Sequence, residues 1–194
     1  MSSEEKNLAD LPFSDAHLRE ECLSSEDAYL GKFLKMKKDI VSLPDGKEAY
    51  REYLVHPGAV AIVPILDDGR IILERQFRYP INQAVIEIPA GKLELGEDPL
   101  LCAQRELLEE TGYSATHWEY LGKIHPVISY STETIDIYLA KGLTLGTRAL
   151  DEGEFLDVFA ASLEEMHEWI ASGTITDVKT IIAVYHLSRH LNDI

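Results

Sequence analysis

The sequence is short of basic residues, and this shortage limits the functions it can have. Lysine and arginine together number 18, against 34 aspartates and glutamates, which gives a formal net charge of -16. A surface of that charge repels the phosphates of nucleic acids, so we do not expect binding to long polynucleotides. It would also repel a small phosphorylated substrate unless cations or local arginines intervene. If the chain acts on phosphates, a bound metal ion is therefore implied.

Cysteine is scarce as well, and long apolar runs are missing. Cys22 and Cys102 are the two cysteines. They lie far apart and form neither a metal-ligand spacing nor a disulfide framework, so we interpret them as free thiols. No apolar run reaches the ~18 residues that a membrane span needs. The first residues, MSSEEKNLADLPFSD, lack the basic start and apolar stretch of a signal peptide, so we expect a cytoplasmic protein without membrane partners.

Strand-like segments joined by turns dominate what is present. Residues 1–28 are polar and are interpreted as an arm. Residues 33–43 alternate apolar and polar side chains, and Pro44-Asp45-Gly46 turns the chain into a second strand, which predicts a hairpin. A stronger hairpin is predicted across residues 58–78, with Asp67-Asp68-Gly69 as its turn.

The rest of the chain mixes strands with helices. Strands are predicted at 84–91, 118–124, 134–140 and 154–160, and helices at 99–110, 162–170 and 176–191. Asp98 is expected to cap the first of these helices, with Pro99 at its first position and Gly112 at its end. The order of elements predicts a mixed α/β or α+β domain around a largely antiparallel or mixed sheet.

Three glutamates of the helix at 99–110 carry the chemical signal. Glu106 and Glu110 are four residues apart and project from one face, and Glu109 lies beside them. Carboxylates this close repel each other, so the cluster is unfavourable unless cations neutralise it. Hard oxygen ligands of this kind suit Mg²⁺ or Mn²⁺. A solvated acidic helix face is the alternative interpretation of the spacing alone.

The flanking residues favour the metal site, because GKLELGEDPLLCAQRELLEETGY at 91–113 resembles the Nudix box. Arg105 is counted with the catalytic residues, since it can pair with Glu97 and hold the loop on the helix. Tyr113 replaces the aliphatic residue usual at the last position, a departure that affects packing. The positions that match the box are Gly91, Glu97, Arg105, Glu106, Glu109, Glu110 and Gly112, and Leu107 fills its apolar position.

The resemblance extends over residues 30–191 to the ADP-ribose pyrophosphatase branch of the Nudix family. The segments RQFRYP and EIPAGK, Pro126 after the box and the C-terminal helix carry it. It implies a Nudix-type α/β/α sandwich around a mixed β-sheet, preceded by an N-terminal antiparallel β-hairpin or sheet. We therefore expect an N-terminal arm and hairpin region at 1–56, which forms a homodimer, and a Nudix hydrolase domain at 57–194.

The resemblance also implies roles for single residues. Glu106 and Glu110 would ligate the metal, with Glu109 assisting and the main-chain carbonyl of Ala90 as a further ligand. The general base is expected in the loop SYSTET, whose carboxylate is Glu133, and Glu109 is the rival base.

Substrate contacts are expected from two arginines and two further glutamates. Arg78 offers a fork for phosphate, and Arg51 is expected to reach a neighbouring subunit's site, although either residue is equally well explained as a surface ion pair. Glu52 and Glu87 are weaker candidates for ribose or base contacts.

The implied reaction is hydrolysis of ADP-ribose to AMP and ribose 5-phosphate. Metals would activate the water that attacks one phosphorus and would stabilise the charge on the phosphoryl oxygens. Another nucleoside diphosphate sugar, such as GDP-mannose, is the alternative substrate. A nucleotide-sensing Nudix module without turnover is an alternative of another class, and loss of box carboxylates would be its signature. All the box carboxylates are present.

Overall fold

A computed structural model describes residues 14–150 and 152–192 of the chain. The chain divides into two compact units, Met1–Val55 and His56–Ile194, next to the boundary expected at residue 56. Within the described ranges, no helix combines the length and the apolar character that crossing a bilayer requires.

The first unit contains a three-stranded antiparallel sheet in the order β1-β2-β3. Its strands are β1 (Glu21–Leu30), β2 (Lys35–Ser42) and β3 (Glu48–Leu54). The predicted hairpin corresponds to β2 and β3. Residues 21–28 of the segment interpreted as an arm belong to β1, a strand that was not predicted, and pair with β2, whereas residues 1–13 lie outside the described part. Strand β1 was not predicted from the sequence for two reasons. Its Asp and Glu residues are depleted in strands, and because all of its residues are exposed it has no buried apolar face to produce an alternating pattern.

The described residues of the second unit form two sheets and three α-helices. The larger sheet has the order β7-β4-β9-β8, with β4 and β9 parallel and the other neighbours antiparallel, and the smaller has the antiparallel order β10-β5-β6. The strands are β4 (Ala59–Pro64), β5 (Ile71–Arg78), β6 (Gln83–Glu87), β7 (Ala90–Lys92), β8 (Tyr113–Ile124), β9 (Ile135–Leu145) and β10 (Leu156–Ala161). The helices are α1 (Pro99–Glu106), α2 (Leu163–Ala171) and α3 (Val178–Asn192).

The side chains of β4 show how the layers are built. Ala61 and Val63 belong to a core that includes residues of α2 and α3. Val60 and Ile62 belong to a second core with Cys102, Ala103 and Leu107 of the box helix region. Because successive strand residues point to opposite faces, helices cover both sides of the sheet. The predicted α/β/α sandwich around a mixed sheet is confirmed.

The box helix has a capped start and a widened end. Asp98 accepts hydrogen bonds from the backbone nitrogens of Leu100 and Leu101, at 2.9 and 3.1 Å, and Pro99 is the first helical residue. The predicted helix at 99–110 is helical throughout, but its last part, Leu107–Thr111, is a π-helical turn. Such turns are frequent at functional sites. Gly112, at φ 78°, ends the helix in the left-handed conformation that glycine adopts without strain.

Candidate active site

Strand β7 brings the backbone of Ala90 and Gly91 against two glutamates of the box. The nitrogen of Ala90 donates a hydrogen bond of 3.1 Å to Oε2 of Glu110. A Cβ on Gly91 would lie 1.9 Å from Cδ and 2.0 Å from Oε1 of Glu106, so only glycine leaves room for that carboxylate. The structure therefore brings together Glu106, Glu110 and the main chain of Ala90, the core of the predicted metal site.

The electrostatics of this cluster disfavour two bare charges. Glu110 is 5% exposed, and burial, together with the charges of Glu74 and Glu106, raises its pKa to about 9. Burial also raises the pKa of Glu106. In these positions an ionised carboxylate needs a nearby cation, and without one the raised pKa favours the protonated, neutral acid.

Arg105 joins the loop of the box to its helix. Its Nε and Nη2 donate to Glu97 at 3.0 and 3.1 Å, and its Nη1 donates to Glu106 and Glu109 at 2.8 and 2.9 Å. The hydrogen bond from Arg105, assisted by the backbone nitrogen of Glu94, lowers the pKa of Glu97 to about 2. The pKa of Arg105 is raised, first by the hydrogen bond to Glu97.

The donor atoms of the cluster have the chemistry that a hard divalent cation prefers. The carboxylates of Glu106 and Glu110 and the carbonyl of Ala90 are all oxygen ligands. Among the described residues, however, no three His, Cys, Asp or Glu side chains converge closely enough to form a ready metal-binding group. In this structure Arg105 donates to Glu106 and Glu109, and Glu110 accepts from the backbone nitrogen of Ala90. Ligation would replace these hydrogen bonds.

Glu74 of β5 belongs to the same cluster, and the sequence analysis missed it. Its side chain is 3% exposed, and its Oε1 is buried without a hydrogen-bond partner. Burial, followed by the charges of Glu87 and Glu154, raises its pKa to about 8. Within the strand segment RIILERQFR a lone glutamate is more typical of a solvent-facing position, so the sequence carried no signal for its burial.

Glu154 is a second residue that the sequence analysis did not single out. Its charge contributes to raising the pKa of Glu74, Glu106 and Glu110, so it lies near the box although it is distant in sequence. It was predicted only as the first residue of a strand at 154–160. In the structure that strand, β10, begins at Leu156, and Glu154 precedes it.

A buried glutamate holds two cations beside the box. Arg78 donates from Nε and Nη2 to Glu87 at 2.6 and 2.8 Å, and Nζ of Lys179 donates to the same carboxylate. Burial opposes ionisation of Glu87, but the hydrogen bond from Arg78 and the charge of Lys179 overcome it and lower its pKa. Glu87, which was expected to contact ribose or base, thus positions the side chains of Arg78 and Lys179. Lys179 was missed because only the fold brings α3 to β6.

Two clefts share Arg78 and Lys179. The first, ≈ 210 Å³, is also lined by Ala90, Gly91 and Glu133. The second, ≈ 280 Å³, is also lined by Ile81, Val85, Glu87, Thr176 and Asp177. The two basic side chains therefore line both of these clefts, in a chain whose formal net charge is -16.

Glu133, the expected base, lines the first cleft on a loop fixed by hydrogen bonds. The nitrogen of His56 donates to Oγ1 of Thr132 at 2.9 Å, and the nitrogen of Glu133 donates to Oγ of Ser131 at 3.1 Å. Glu109, the rival base, has one oxygen engaged by Arg105.

The other two expected substrate contacts lie in the first unit. Arg51 of β3 forms an ion pair with Glu20. Glu52 is exposed and stands opposite Lys38 in the pairing of β2 with β3. Their roles toward a substrate stay predictions.

Comparison with known proteins places this arrangement in a family. Residues 55–181 match the family model of the NUDIX domain. The chain belongs to the Nudix hydrolase family. Nudix hydrolases generally need divalent metal ions, in accord with the oxygen donors described above.

Two relatives resemble this Nudix hydrolase over most of its length. It is 41% identical over 170 residues to a methanol dehydrogenase activator of Bacillus methanolicus, and the aligned residues cover 87% of this chain and 92% of that protein. It is 38% identical over 172 residues to an ADP-ribose pyrophosphatase of Bacillus subtilis (strain 168), which covers 88% of this chain and 93% of the relative.

A solved structure shares the fold. The crystal structure of an ADP compounds hydrolase matches with a TM-score of 0.82, covering 91% of this chain and 96% of that one. Its sequence identity of 24% means that the match supports the fold alone.

Proposed function

We propose that this Nudix hydrolase cleaves the diphosphate of ADP-ribose to AMP and ribose 5-phosphate, with Mg²⁺ as its cofactor. The observation that carries the proposal is that Glu106 and Glu110 approach the backbone of Ala90 and Gly91. Ala90 and Gly91 also line a cleft together with Arg78 and Lys179. The name of the Bacillus subtilis relative, an ADP-ribose pyrophosphatase 38% identical to this chain, supports the choice of substrate.

The reaction consumes one water molecule. The water oxygen forms a bond to one phosphorus, the bond from that phosphorus to the bridging oxygen breaks, and the bridging oxygen leaves with the other phosphate. A bound divalent cation lowers the pKa of water and offsets charge on the phosphoryl oxygens. Glu106, Glu110, Glu109 and the carbonyl of Ala90 would hold it.

Arg78 and Lys179 supply the positive charge that a diphosphate requires on an acidic protein. Glu87 fixes both side chains, so they are oriented before the substrate arrives. The pair with Glu87 uses Nε and Nη2 of Arg78, and Nη1 is the guanidinium nitrogen outside it. Fixed donors of this kind bind phosphate with little loss of side-chain freedom.

We assign the proton acceptor for the attacking water to Glu133. Its place in the cleft with Ala90 and Gly91 supports this assignment. Glu109 is the rival, although Arg105 engages one of its oxygens. Glu154, which lies near Glu106 and Glu110, is a third candidate that the structure adds.

The test compares substrates under one set of conditions. Initial rates are measured with Mg²⁺ for ADP-ribose, GDP-mannose and other nucleoside diphosphate sugars, and the products are identified by chromatography. The proposal predicts the highest kcat/KM for ADP-ribose, with AMP and ribose 5-phosphate in equal amounts. A higher value for GDP-mannose would replace the substrate but keep the chemistry.

A loss-of-function control accompanies the comparison of substrates. Glu110→Gln should abolish turnover, because it removes a carboxylate of the proposed metal site. Binding of nucleotides without turnover of any of them would instead indicate a sensing module.

A further inference from the structure

Glu74 is a buried acid whose hydrogen-bonding capacity the protein does not satisfy. It is 3% exposed, and within the described residues no donor reaches its Oε1. Buried polar atoms are hydrogen-bonded in the large majority of cases, and an exception calls for an explanation such as a catalytic role or a bound ion. Burial of this oxygen costs free energy of folding unless a bound ion or another ligand contacts it.

The strand directs Glu74 away from the core formed by α2 and α3. Ile71 and Leu73, its neighbours on β5, belong to that core. Because side chains alternate along a strand, Glu74 points to the face of β5 opposite that core.

The groups that surround Glu74 are mostly acids. Glu87 stands directly opposite it across β5 and β6, and is itself satisfied by Arg78 and Lys179. Glu154 is close enough for its charge to act on Glu74, and Glu74 is close enough for its charge to act on Glu110. The cations whose charges act on Glu74 are Arg148 and then Lys179. Arg148 donates from Nη2 to the backbone oxygen of Leu156, and Lys179 is bound to Glu87 and Asp177.

We propose that Glu74 binds a divalent cation together with Glu110, through the oxygen that no protein donor reaches. The proposal rests on the metal dependence proposed above. Glu74 lies outside the box, which begins at Gly91, so it is a metal-binding residue of this chain in addition to those of the motif. Its carboxylate adds a hard oxygen and a negative charge to the site, and both strengthen binding of a divalent cation.

The test measures metal binding directly and needs no turnover. Mn²⁺ is titrated calorimetrically into the full chain without nucleotide, in the wild type, Glu74→Gln and Glu168→Gln. Glu168 is an exposed residue of α2, so its substitution removes the same charge away from the cluster. Glu74→Gln should weaken Mn²⁺ binding by at least about tenfold, whereas Glu168→Gln should leave it unchanged.

A second variant guards against a folding defect. Glu74→Met fills the buried space with an uncharged side chain. In EDTA it should unfold at a higher temperature than the wild type, because the unsatisfied acid is gone. Added Mn²⁺ should then raise its unfolding temperature by less than it raises that of the wild type.

The possible results distinguish failure of the Glu74 proposal from failure of the proposed substrate assignment. Equal Mn²⁺ affinity and equal stabilisation in the wild type and both Glu74 variants would overturn it and leave Glu74 as a buried protonated acid. A wild type that binds no Mn²⁺ would overturn it together with the metal dependence. Loss of Mn²⁺ affinity in the Glu74 variants, in a protein that does not hydrolyse ADP-ribose, would support Glu74 and reject only the substrate.

Discussion

The carboxylate of Glu106 lies in the space that a side chain on Gly91 would need. A Cβ at position 91 would stand 1.9 Å from Cδ of Glu106, a separation that real atoms do not adopt. The glycine that opens the box thus has a steric role: it lets a helix carboxylate approach the strand backbone beside the carbonyl of Ala90.

Gly91→Ala should therefore displace Glu106 and impair the proposed metal site. We expect kcat for ADP-ribose to fall by at least about 10²-fold, a cost typical of misplacing a catalytic group, with a weaker response to Mg²⁺. Gly146→Ala is the matched control, because a Cβ there would meet its nearest atom at 3.4 Å, an ordinary contact. Full activity of Gly91→Ala would show that Glu106 is not needed at this position.

The pairing of Arg105 with Glu97 predicts a pH-dependent stability. The folded pKa of Glu97, about 2, lies below its ordinary value of 4.5, so the stabilisation is fully present above pH 4.5. It is lost as the pH falls from about 4.5 toward 2. Glu97→Gln should be less stable than the wild type by about 1–2 kcal/mol at pH 7, allowing for solvent screening. Urea unfolding should show the two proteins converging at low pH, and a constant difference across pH would contradict the pairing.

The sequence predicted the box well because its information is local. A helix that begins at Asp98 and Pro99 and ends at Gly112 follows from capping and periodicity within one segment. The helical repeat also predicts that Glu106 and Glu110, four residues apart, lie on one face of the helix. The π-helical turn at 107–111 was not predicted, because the hydrophobic period of the sequence does not distinguish it from a regular α-helical turn.

Residues brought in from other segments were the ones missed. Glu74, Glu154 and Lys179 come from β5, from the segment before β10 and from α3, and only the folded sheet brings them to the box. Likewise, β1 is hidden because backbone pairing with β2, and not an apolar face, makes it a strand.

We expect Lys179 to contribute to stability and to substrate binding in separable ways. Lys179→Met leaves the buried Glu87 with Arg78 as its remaining cation, so the free energy of unfolding should fall by about 1.5–3 kcal/mol. KM for ADP-ribose should rise, because a phosphate contact is lost. The double variant Glu87→Met/Lys179→Met should recover stability, since apolar replacement of a buried pair is often neutral, but it should not recover KM. Recovery of both would show that Lys179 acts through the fold alone.

The exposed edge strand of the first unit leads us to expect self-association. This strand, β1, is exposed along its whole length, and Leu23 and Leu30 are 54% and 65% exposed. Long exposed edge strands are templates for pairing with another chain. We propose a homodimer through this sheet, and sedimentation velocity at micromolar concentration should show it. Leu23→Lys/Leu30→Lys should shift it to the monomer, whereas Leu95→Lys, on an exposed residue of the second unit, should not. A monomeric wild type would contradict the proposal.

The identity of the base can be decided by three substitutions that keep side-chain size and remove basicity. If Glu133 accepts the proton, Glu133→Gln should lower kcat for ADP-ribose by about 10²–10⁴-fold, with Mn²⁺ affinity and KM nearly unchanged. Glu109→Gln and Glu154→Gln serve as its comparisons, measured at saturating Mg²⁺. A loss of kcat confined to one of those two would move the role to that residue.

Metal affinity must be followed beside the rate, because Glu109 and Glu154 lie near the proposed ligands and their substitution can weaken the cation site. A fall in rate that higher Mg²⁺ restores therefore indicates a binding defect, and a fall that persists at saturation indicates a defect in chemistry. If all three variants keep near-full kcat, no side chain among them removes the proton. The activation of water would then depend on the cation alone, and the assignment of Glu133 would be wrong.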